Sequence, residues 1–385
     1  MHLQLMDWLI VAFTLGICFV PALFFGKRGR ENTAEFFASG RSVPWWLAGL
    51  SMVATTFSRD TPNWVTQQML GTEMTCPADG AGRAAYRRFY GNVCRFWKEM
   101  TYDTVSFEGT IVEVLPDHGA IFGGRPGPIQ NQADFQGYPF AEIPALYWKR
   151  WEAHFEALAA ELPQGMKALG GVGNGVLEIS EDLVGFEQLA YMQADDPELF
   201  AALYEKIGDL LVNIWTRFMA RFGGAYAICR FGDDLGFKTG TLASPDVIRR
   251  HVLPQYHRVI QLIKGAGKPF LWHSCGCIFS IMDDVIALGI DAKHSNEDCI
   301  APFERWIELY GERIGLLGGI DLDIVCQKKP EQVYDIVLER GRRYRRMAKG
   351  YALGTGNSIP AYVPVEGYLA MVRAAQQLRA EDARV

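Results

Sequence analysis

The segment Pro269-Phe-Leu-Trp-His-Ser-Cys-Gly-Cys277 is an apolar run that ends abruptly in a histidine and two cysteines. Such a run predicts a buried strand that carries His273, Cys275 and Cys277 to its C-terminal end. Because side chains alternate along a strand, the His-x-Cys spacing places two metal-binding side chains on the same side. The alternative is a core histidine beside inert buried thiols, which is the commoner origin of an isolated short motif.

The composition excludes several classes of protein. The chain has 385 residues, of which 49% are hydrophobic, enough for one large domain or two ordinary ones. A net charge of −6 gives no electrostatic basis for binding nucleic acid, so we expect no nucleic-acid partner. Eight irregularly spaced cysteines do not form a small disulfide framework. Three of them fall between residues 275 and 299, which favours a reducing, cytoplasmic compartment for the catalytic domain.

Residues 1–70 differ in composition from the rest of the chain. Residues 8–25 carry no charge and are followed by a basic cluster at 27–30, a pattern typical of a membrane span with a cytoplasmic C-terminal end. A second apolar run, residues 43–57, has the length of a buried helix, a re-entrant segment or half of a span. We therefore expect a hydrophobic N-terminal fragment, able to anchor the chain through 8–25, and a separate domain over residues 71–385.

The N-terminal fragment resembles a family of membrane proteins. The segments Asp7–Val11, Glu35–Arg41, Pro44–Ser58 and Asp60–Pro62 are similar to the start of sodium:solute symporters, over about residues 5–67. The resemblance implies the first membrane helix and the broken second helix of such a transporter. The remaining helices of that family are absent, so a function as a membrane transport component is the least favoured. We interpret the fragment as a membrane anchor or a chimeric gene junction, and the charge topology favours the junction.

The rest of the chain alternates strand-length apolar segments with helical patterns. The predicted strands lie at residues 103–108, 225–234, 269–273, 290–297, 314–321 and 351–357. Helical patterns cover 84–100 and 197–222, and further helices begin with a proline after Ser244 and at Pro330. The glycine-rich stretch Gly170–Gly175 lacks the spacing of a phosphate-binding loop and is interpreted as a turn.

This alternation predicts an α/β fold, a TIM (β/α)8 barrel, with catalytic groups at the C-terminal ends of the strands. Polar residues do occupy the predicted strand ends. They are Glu108, Asp233, Asp234, His273, Cys275, Asn296, Glu297, Asp321 and Asn357.

Several of these segments resemble the uroporphyrinogen decarboxylase superfamily, over about residues 80–380. The motifs that carry the resemblance are His273-Ser-Cys-Gly276, Gly318-Gly-Ile-Asp321, Phe231-Gly-Asp-Asp-Leu-Gly236, Gly354-Thr-Gly-Asn-Ser-Ile-Pro360 followed by Pro364-Val-Glu366, and Phe107-Glu108 leading to Gly127-Pro128. The resemblance implies a TIM barrel and one of two chemistries. One branch of the superfamily decarboxylates uroporphyrinogen without a cofactor. The other moves methyl groups between corrinoid proteins and an acceptor that is activated by zinc.

The methyltransferase branch is favoured. The resemblance implies zinc held by His273, Cys275 and a distant cysteine, but Asn357 occupies the position of that cysteine. Cys277 and Cys299 are the available substitutes, and Cys277 is preferred because it shares the strand-end loop; both are equally well explained as packed thiols. The expected partner is a corrinoid protein, or a small-molecule methyl donor or acceptor. A homodimer is also compatible with the resemblance.

The decarboxylase branch is the second hypothesis. Glu108 fits the position of an aspartate that grips the pyrrole nitrogens, and its side chain is one methylene longer. Against this branch, its histidine near the last strand is replaced by Asn357, and its N-terminal arginine-rich loop has no counterpart. A substrate with eight carboxylates requires several basic side chains, whereas the predicted strand ends are acidic and neutral.

Together these patterns predict roles for eleven residues. We predict catalytic roles for Glu108, Asp233, Asp234, Glu297 and Asn357, substrate contacts from Asn296, Gly319 and Asp321, and metal ligation by His273, Cys275 and Cys277. The Asp233-Asp234 pair could orient a ligand, form part of a metal shell or cap the next helix, and Asp321 is equally well explained as a helix cap. His294 lies in the same predicted strand as Asn296, and it is more typical of a core histidine than of a metal ligand.

Overall fold

The computed structural model describes residues 76–360 and 362–382. In these residues seven parallel strands form one curled sheet in the order of the sequence, and each strand pairs with the next. The strands are β1 (Thr104–Thr110), β2 (Lys167–Gly173), β3 (Tyr226–Gly232), β4 (Phe270–His273), β5 (Ala292–His294), β6 (Gly315–Ile320) and β7 (Tyr351–Thr355). Sequential parallel strands joined by helices define a TIM-type α/β barrel, so the predicted fold is confirmed. The sheet of the described residues contains seven of the eight strands of the ideal barrel.

Helices connect the strands and cover the outside of the sheet. They are α1 (Arg83–Glu99), α2 (Gln132–Gly137), α3 (Ile143–Glu161), α4 (Val176–Val184), α5 (Phe186–Asp195), α6 (Pro197–Phe222), α7 (Leu253–Gly265), α8 (Met282–Ala287), α9 (Phe303–Tyr310), α10 (Leu322–Gln327), α11 (Pro330–Met347) and α12 (Val365–Asp382). The turns Pro245–Val247 and Ile248–Val252 lead into α7. The predicted proline starts are correct. Asp196 caps α6 by accepting a hydrogen bond from the Leu199 amide, and Ser244 accepts one from Val247.

The strand β2 is the element that the sequence pattern did not reveal. The stretch interpreted as a turn, Gly170–Gly175, contains the end of this strand. Its glycines are needed because the helix layer presses on it: a Cβ on Gly171 would lie 2.7 Å from the Trp215 ring of α6. Three of the seven residues of β2 are glycine, so the strand shows little apolar alternation and its period is hidden in the sequence.

Contacts with the outer helices show which residues of β1 and β3 face the interior of the barrel. Phe107 stacks on the His154 ring of α3, and a Cβ on Gly109 would lie 2.8 Å from Trp151 of the same helix. Glu108 between them therefore points into the barrel. On β3, Phe231 packs 5.0 Å from the Tyr256 ring of α7, so its neighbour Arg230 also points inward.

The same alternation orients β4 and β5. Trp272 packs against α7, which leaves His273 directed into the barrel. Lys293 lies over the Trp306 ring of α9, with its Nζ atom 4.4 Å from the ring centroid, so His294 faces the interior. The strand register pairs His273 with His294, and the two histidines therefore lie side by side.

The predictions for the N-terminal fragment lie outside the described residues. These are the membrane span over 8–25, the second apolar run and the symporter-like segment. Within residues 76–360 and 362–382, no helix combines the length and the apolar character required to span a membrane.

The loops after β3 and β4 are packed together through two glycines, which gives a testable expectation. Gly276 has φ +84°, and a Cβ there would lie 2.2 Å from the Gly236 carbonyl carbon. We expect Gly276→Ala to lower the unfolding free energy by about 1–3 kcal/mol, because both the strained backbone and the overlap oppose it. Gly240→Ala in the β3 loop is the matched control, because nothing lies within 4 Å of its added Cβ. Urea denaturation measures both, and equal stability of the two variants would contradict the expectation.

Candidate metal centre

Three side chains converge at the C-terminal ends of β3 and β4. They are Asp234, His273 and Cys275, which we call the three-ligand cluster, and their ligand atoms all lie within 4.8 Å of one another. The Cys275 sulfur is 3.6 Å from His273 Nε2, and Asp234 Oδ1 is 3.8 Å from the same nitrogen. Zinc bonds of normal length at tetrahedral angles separate neighbouring ligand atoms by about 3.3–3.8 Å. The spacing of these donors therefore suits zinc.

A hydrogen bond between two histidines fixes the tautomer of the central one. His294 Nε2 lies 3.3 Å from the Thr355 carbonyl, which can only accept, so this nitrogen carries the proton. Burial lowers the pKa of His294 to about 3, so its ring is neutral and Nδ1 is an acceptor. His273 Nδ1 lies 2.8 Å away and must donate to it. The lone pair of His273 therefore resides on Nε2, the atom that faces the cluster.

The environment of the cluster favours the uncharged forms of its ligands. Burial, followed by the neighbouring His294, lowers the pKa of His273 well below its usual value. Burial, and then the charge of Asp234, raises the pKa of the Cys275 thiol well above its usual range. Burial also raises the pKa of the Asp234 carboxyl. A divalent cation among these groups would reverse the shifts of the thiol and the carboxyl, because it compensates the charge that burial disfavours.

Neighbouring groups hold Cys275 and Asp234 in place. Ser295 Oγ lies 3.2 Å from the Cys275 sulfur, and the Cys275 amide donates to Asp234 Oδ1 at 2.9 Å. Glu178 of α4 accepts from the Asp234 amide at 3.3 Å, and its other oxygen accepts from Asn174. Burial, with the charges of Asp234 and Asp233, raises the pKa of Glu178 well above its normal value. The segments that follow β3 and β4 are thus positioned by side-chain hydrogen bonds as well as by the pairing of the strands.

Asp233, the other half of the predicted carboxylate pair, has a different position. It is fully buried, and it accepts hydrogen bonds from the Leu177 and Glu178 amides at 2.9 and 2.8 Å. Tyr256 donates a third, at 2.6 Å. Burial raises the pKa of Asp233 to about 6. These contacts make Asp233 the cap of α4, the helix that follows β2, so the capping alternative describes it better than a catalytic role.

Asn357 and Glu297 form a pair beside the cluster. Asn357 Nδ2 donates to Glu297 Oε1 at 2.5 Å and lies 3.7 Å from the Cys275 sulfur. The second oxygen of Glu297 lies 3.5 Å from the sulfur of Cys299, which is exposed. The structure therefore brings Asn357 and Glu297 to the predicted site. Cys299 contacts the oxygen of Glu297 that Asn357 does not bind.

Four other predicted site residues are not part of this cluster. In the described residues Cys277 does not join the three ligands, because Gly276 turns the chain and the Cys277 amide bonds the Phe237 carbonyl. Asn296 is buried and its amide nitrogen bonds the Leu317 carbonyl. A Cβ on Gly319 would lie 2.9 Å from the Tyr344 ring, so the glycine serves packing. Asp321 caps α10 through the Asp323 amide. These contacts favour structural roles over the predicted metal and substrate contacts.

Glu108 lies deeper in the barrel and is paired with an arginine. The Arg230 guanidinium donates to both carboxylate oxygens, at 2.6 and 3.1 Å. Sequence reasoning did not select Arg230, because it lies within an apolar strand pattern. An isolated charge at an inward position of a strand is the signal that could have identified it.

Lys293 is a second residue that the sequence did not single out. Its ammonium is fully buried and donates to the Ser295 carbonyl at 2.5 Å, to Asn296 Oδ1 at 3.0 Å, and to the Ser274 carbonyl at 3.4 Å. It thereby ties the end of β4 to the end of β5. Ser295, which has the unusual φ of +74°, is held in this strained conformation next to Cys275.

Lys293 also gives the protein a pH dependence. Burial lowers the pKa of Lys293 from 10.5 to about 7. Between these values the unfolded chain binds a proton that the folded chain has released, so the unfolding free energy rises with pH, by about 1 kcal/mol per unit. The destabilisation is fully present below pH 7 and disappears as the pH approaches 10.5.

Lys293→Met removes this titration. Between pH 7 and pH 9, we expect the unfolding free energy of the wild type to rise by about 2 kcal/mol relative to that of the variant. Urea denaturation at each pH measures it. Lys268→Met, which removes an ammonium bound to the Tyr226 carbonyl, serves as the control and should keep the wild-type slope. Parallel profiles for the wild type and Lys293→Met would show that the buried lysine does not titrate in this range.

Comparison with known structures and families agrees with this fold. A methyltransferase from Methanosarcina mazei is 14% identical, covers 84% of this chain and 92% of its own, and has a TM-score of 0.58. A B12-independent methionine synthase from Shewanella sp. W3-18-1 is 16% identical, covers 80% of this chain and 93% of its own, and has a TM-score of 0.47. At 14% identity, the similarity to the Methanosarcina mazei methyltransferase shows the fold alone. No curated protein matches the sequence.

A family model decides the classification. The model described as uroporphyrinogen decarboxylase (URO-D) matches residues 127–378, which is more than half of the chain. This range contains the three-ligand cluster and the histidine that orients it. The chain therefore belongs to the uroporphyrinogen decarboxylase family.

Proposed function

We propose that this chain is an enzyme that transfers a methyl group to a thiol at a zinc centre formed by Asp234, His273 and Cys275. The observation that carries the proposal is the three-ligand cluster, in which the lone pair of His273 Nε2 faces a thiol and a carboxylate at zinc-ligand spacing. Three protein ligands with an open fourth position are typical of catalytic zinc. The methyl donor that we propose is a corrinoid protein, as in the methyltransferase branch of the superfamily.

The donor set also answers the difficulty over the third ligand. Asn357 replaces the cysteine that the family resemblance implies, and an amide is a poor ligand for zinc. Asp234 supplies a carboxylate in its place, from the neighbouring strand. When bound, zinc would supply a Lewis acid that lowers the pKa of an acceptor thiol and makes it nucleophilic at neutral pH.

The residues around the cluster have separate tasks in this proposal. His294 orients His273 and keeps its Nε2 unprotonated. Asn357 lies between Cys275 and Glu297, and its amide fixes the orientation of the Glu297 carboxylate. We assign Glu297 as the group that takes the proton of the incoming thiol, because its carboxylate lies beside the cluster and is oriented by Asn357.

The decarboxylase hypothesis has less support. Its gripping carboxylate would be Glu108, but both oxygens of Glu108 already accept hydrogen bonds from Arg230. Decarboxylation that survives a chelator and is abolished by Glu108→Gln would restore it. For the transport hypothesis, sodium-dependent uptake of a solute by cells that express the chain would be required.

Metal analysis of the purified full-length chain tests the proposal. We expect one zinc per chain, and loss of at least about tenfold in affinity in His273→Ala, Cys275→Ser and Asp234→Asn, because each removes a ligand. Cys277→Ser and Cys299→Ser are the matched controls, and both should retain zinc. Retention by Asp234→Asn together with loss in Cys277→Ser would replace Asp234 by Cys277 as the third ligand.

Turnover provides the second test. The zinc-loaded protein should demethylate methylcobalamin in the presence of a thiol, and a chelator or Cys275→Ser should lower the rate at least about a hundredfold. The change in cobalamin absorbance follows the reaction. A metal-free protein of undiminished activity would refute the proposed chemistry.

A further inference from the structure

A second charged group lies inside the barrel beneath the three-ligand cluster. Glu108 and Arg230 form a bidentate ion pair, and their side chains are 23% and 20% exposed. Both residues face the interior, because their neighbours on the strands pack against the outer helices. About one fifth of each side chain therefore remains exposed on the inner face of the sheet.

The register of the strands places this pair relative to the cluster. Gly232 pairs with His273, and Arg230 lies two residues earlier on the same face of β3. Two residues of a strand span about 7 Å, so the ion pair forms a floor about one layer of side chains below His273. Glycines lie next to both layers, so no side chain fills these positions. A Cβ on Gly173 would lie 3.3 Å from Glu108 Cγ, and one on Gly232 would lie 3.4 Å from the His273 ring.

We infer that Glu108 and Arg230 bind the ammonium and the carboxylate of an α-amino acid, and that the proposed acceptor is therefore an amino-acid thiol. The inference deepens the proposed function and rests on it for the thiol, but not for the charged subsite. A ligand with one charge would bind one partner and leave the other unpaired in a partly desolvated interior, which is costly. A zwitterion gives each side chain a new partner of opposite charge, so no charge is left alone.

The surrounding charges exclude the two simpler ligands. Glu297 lies at the mouth of the barrel and ligates no metal in the proposal, so a purely anionic thiol meets its carboxylate before it reaches Arg230. A purely cationic thiol would satisfy Glu108 but would approach the Arg230 guanidinium. An amino acid with a short thiol side chain has no net charge. If the α-carbon of such an amino acid lies at the Glu108–Arg230 floor, its thiol side chain extends along the strands toward the three-ligand cluster.

Calorimetry of the metal-free, full-length chain isolates the charged subsite from the metal. The ligands are L-2-aminobutyrate, butyrate and n-propylamine, which carry both charges, the negative one and the positive one, and which have no thiol. We expect L-2-aminobutyrate to bind at least about tenfold more tightly than either of the others. Equal binding of all three, or no detectable binding of the zwitterion, would overturn the inference.

Variants identify the side chains responsible. In Glu108→Gln the advantage of L-2-aminobutyrate over butyrate should disappear, because the ammonium has lost its partner. Arg230→Lys keeps the positive charge and should retain most of the discrimination. Glu108→Gln/Arg230→Met is a neutral pair that should bind none of the charged ligands while its circular dichroism and melting temperature stay close to the wild type. Unchanged discrimination in Glu108→Gln would contradict the assignment.

The outcome is separable from that of the proposed function. Zinc analysis of the same preparations reports on the three-ligand cluster alone. A protein that binds zinc but does not discriminate among the three ligands retains its proposed chemistry and loses this substrate class. A protein that prefers the zwitterion but binds no zinc retains an amino-acid site and loses the proposed methyl transfer.

Discussion

The hydrogen bond between His273 and His294 is the constraint on which the candidate centre depends. A backbone carbonyl at Thr355 fixes the proton of His294, and His294 in turn fixes the proton of His273. The direction of this chain of hydrogen bonds leaves one nitrogen lone pair, and it faces Cys275 and Asp234. If the chain ran in the other direction, a proton would point at the thiol and no cation could bind. The position of the proton on His273 of β4 is therefore determined by His294 of β5 and Thr355 of β7.

The alternation of side chains along the barrel strands supplies that geometry. Aromatic residues on β1, β3 and β4 pack against the helices, and this packing turns Glu108, Arg230 and His273 inward. The inner face is thus organised in two layers: an ion pair below and a pair of histidines above. The Lys293 side chain points in the opposite direction. It faces the helix layer, and its ammonium donates hydrogen bonds to carbonyls at the ends of two strands. A buried ammonium with several acceptors costs stability near pH 7, and it defines the position of the loop that carries Ser295.

The sequence predicted the barrel, and it placed His273 and Cys275 together at a strand end, because both follow from local patterns. Apolar runs that end in polar residues mark strand ends, and His273 and Cys275 have the period-two spacing that a shared face requires. Which of two adjacent carboxylates joins them could not be predicted in this way. Asp233 and Asp234 are adjacent, and only the packing of α4 shows that the first is a cap and the second faces Cys275. Cys277 was preferred because of its proximity in sequence, but Gly276 turns the chain after Cys275. Strand β2 was hidden because glycine carries no hydrophobic signal.

X-ray absorption at the zinc edge of the full-length protein tests the central claim most directly, because it counts the sulfur atoms around the metal. The account predicts one sulfur from the protein, with nitrogen and oxygen ligands completing the shell, and a second sulfur once an acceptor thiol is added. Two or more protein sulfurs before the thiol is added, or a shell that the thiol does not change, would contradict it.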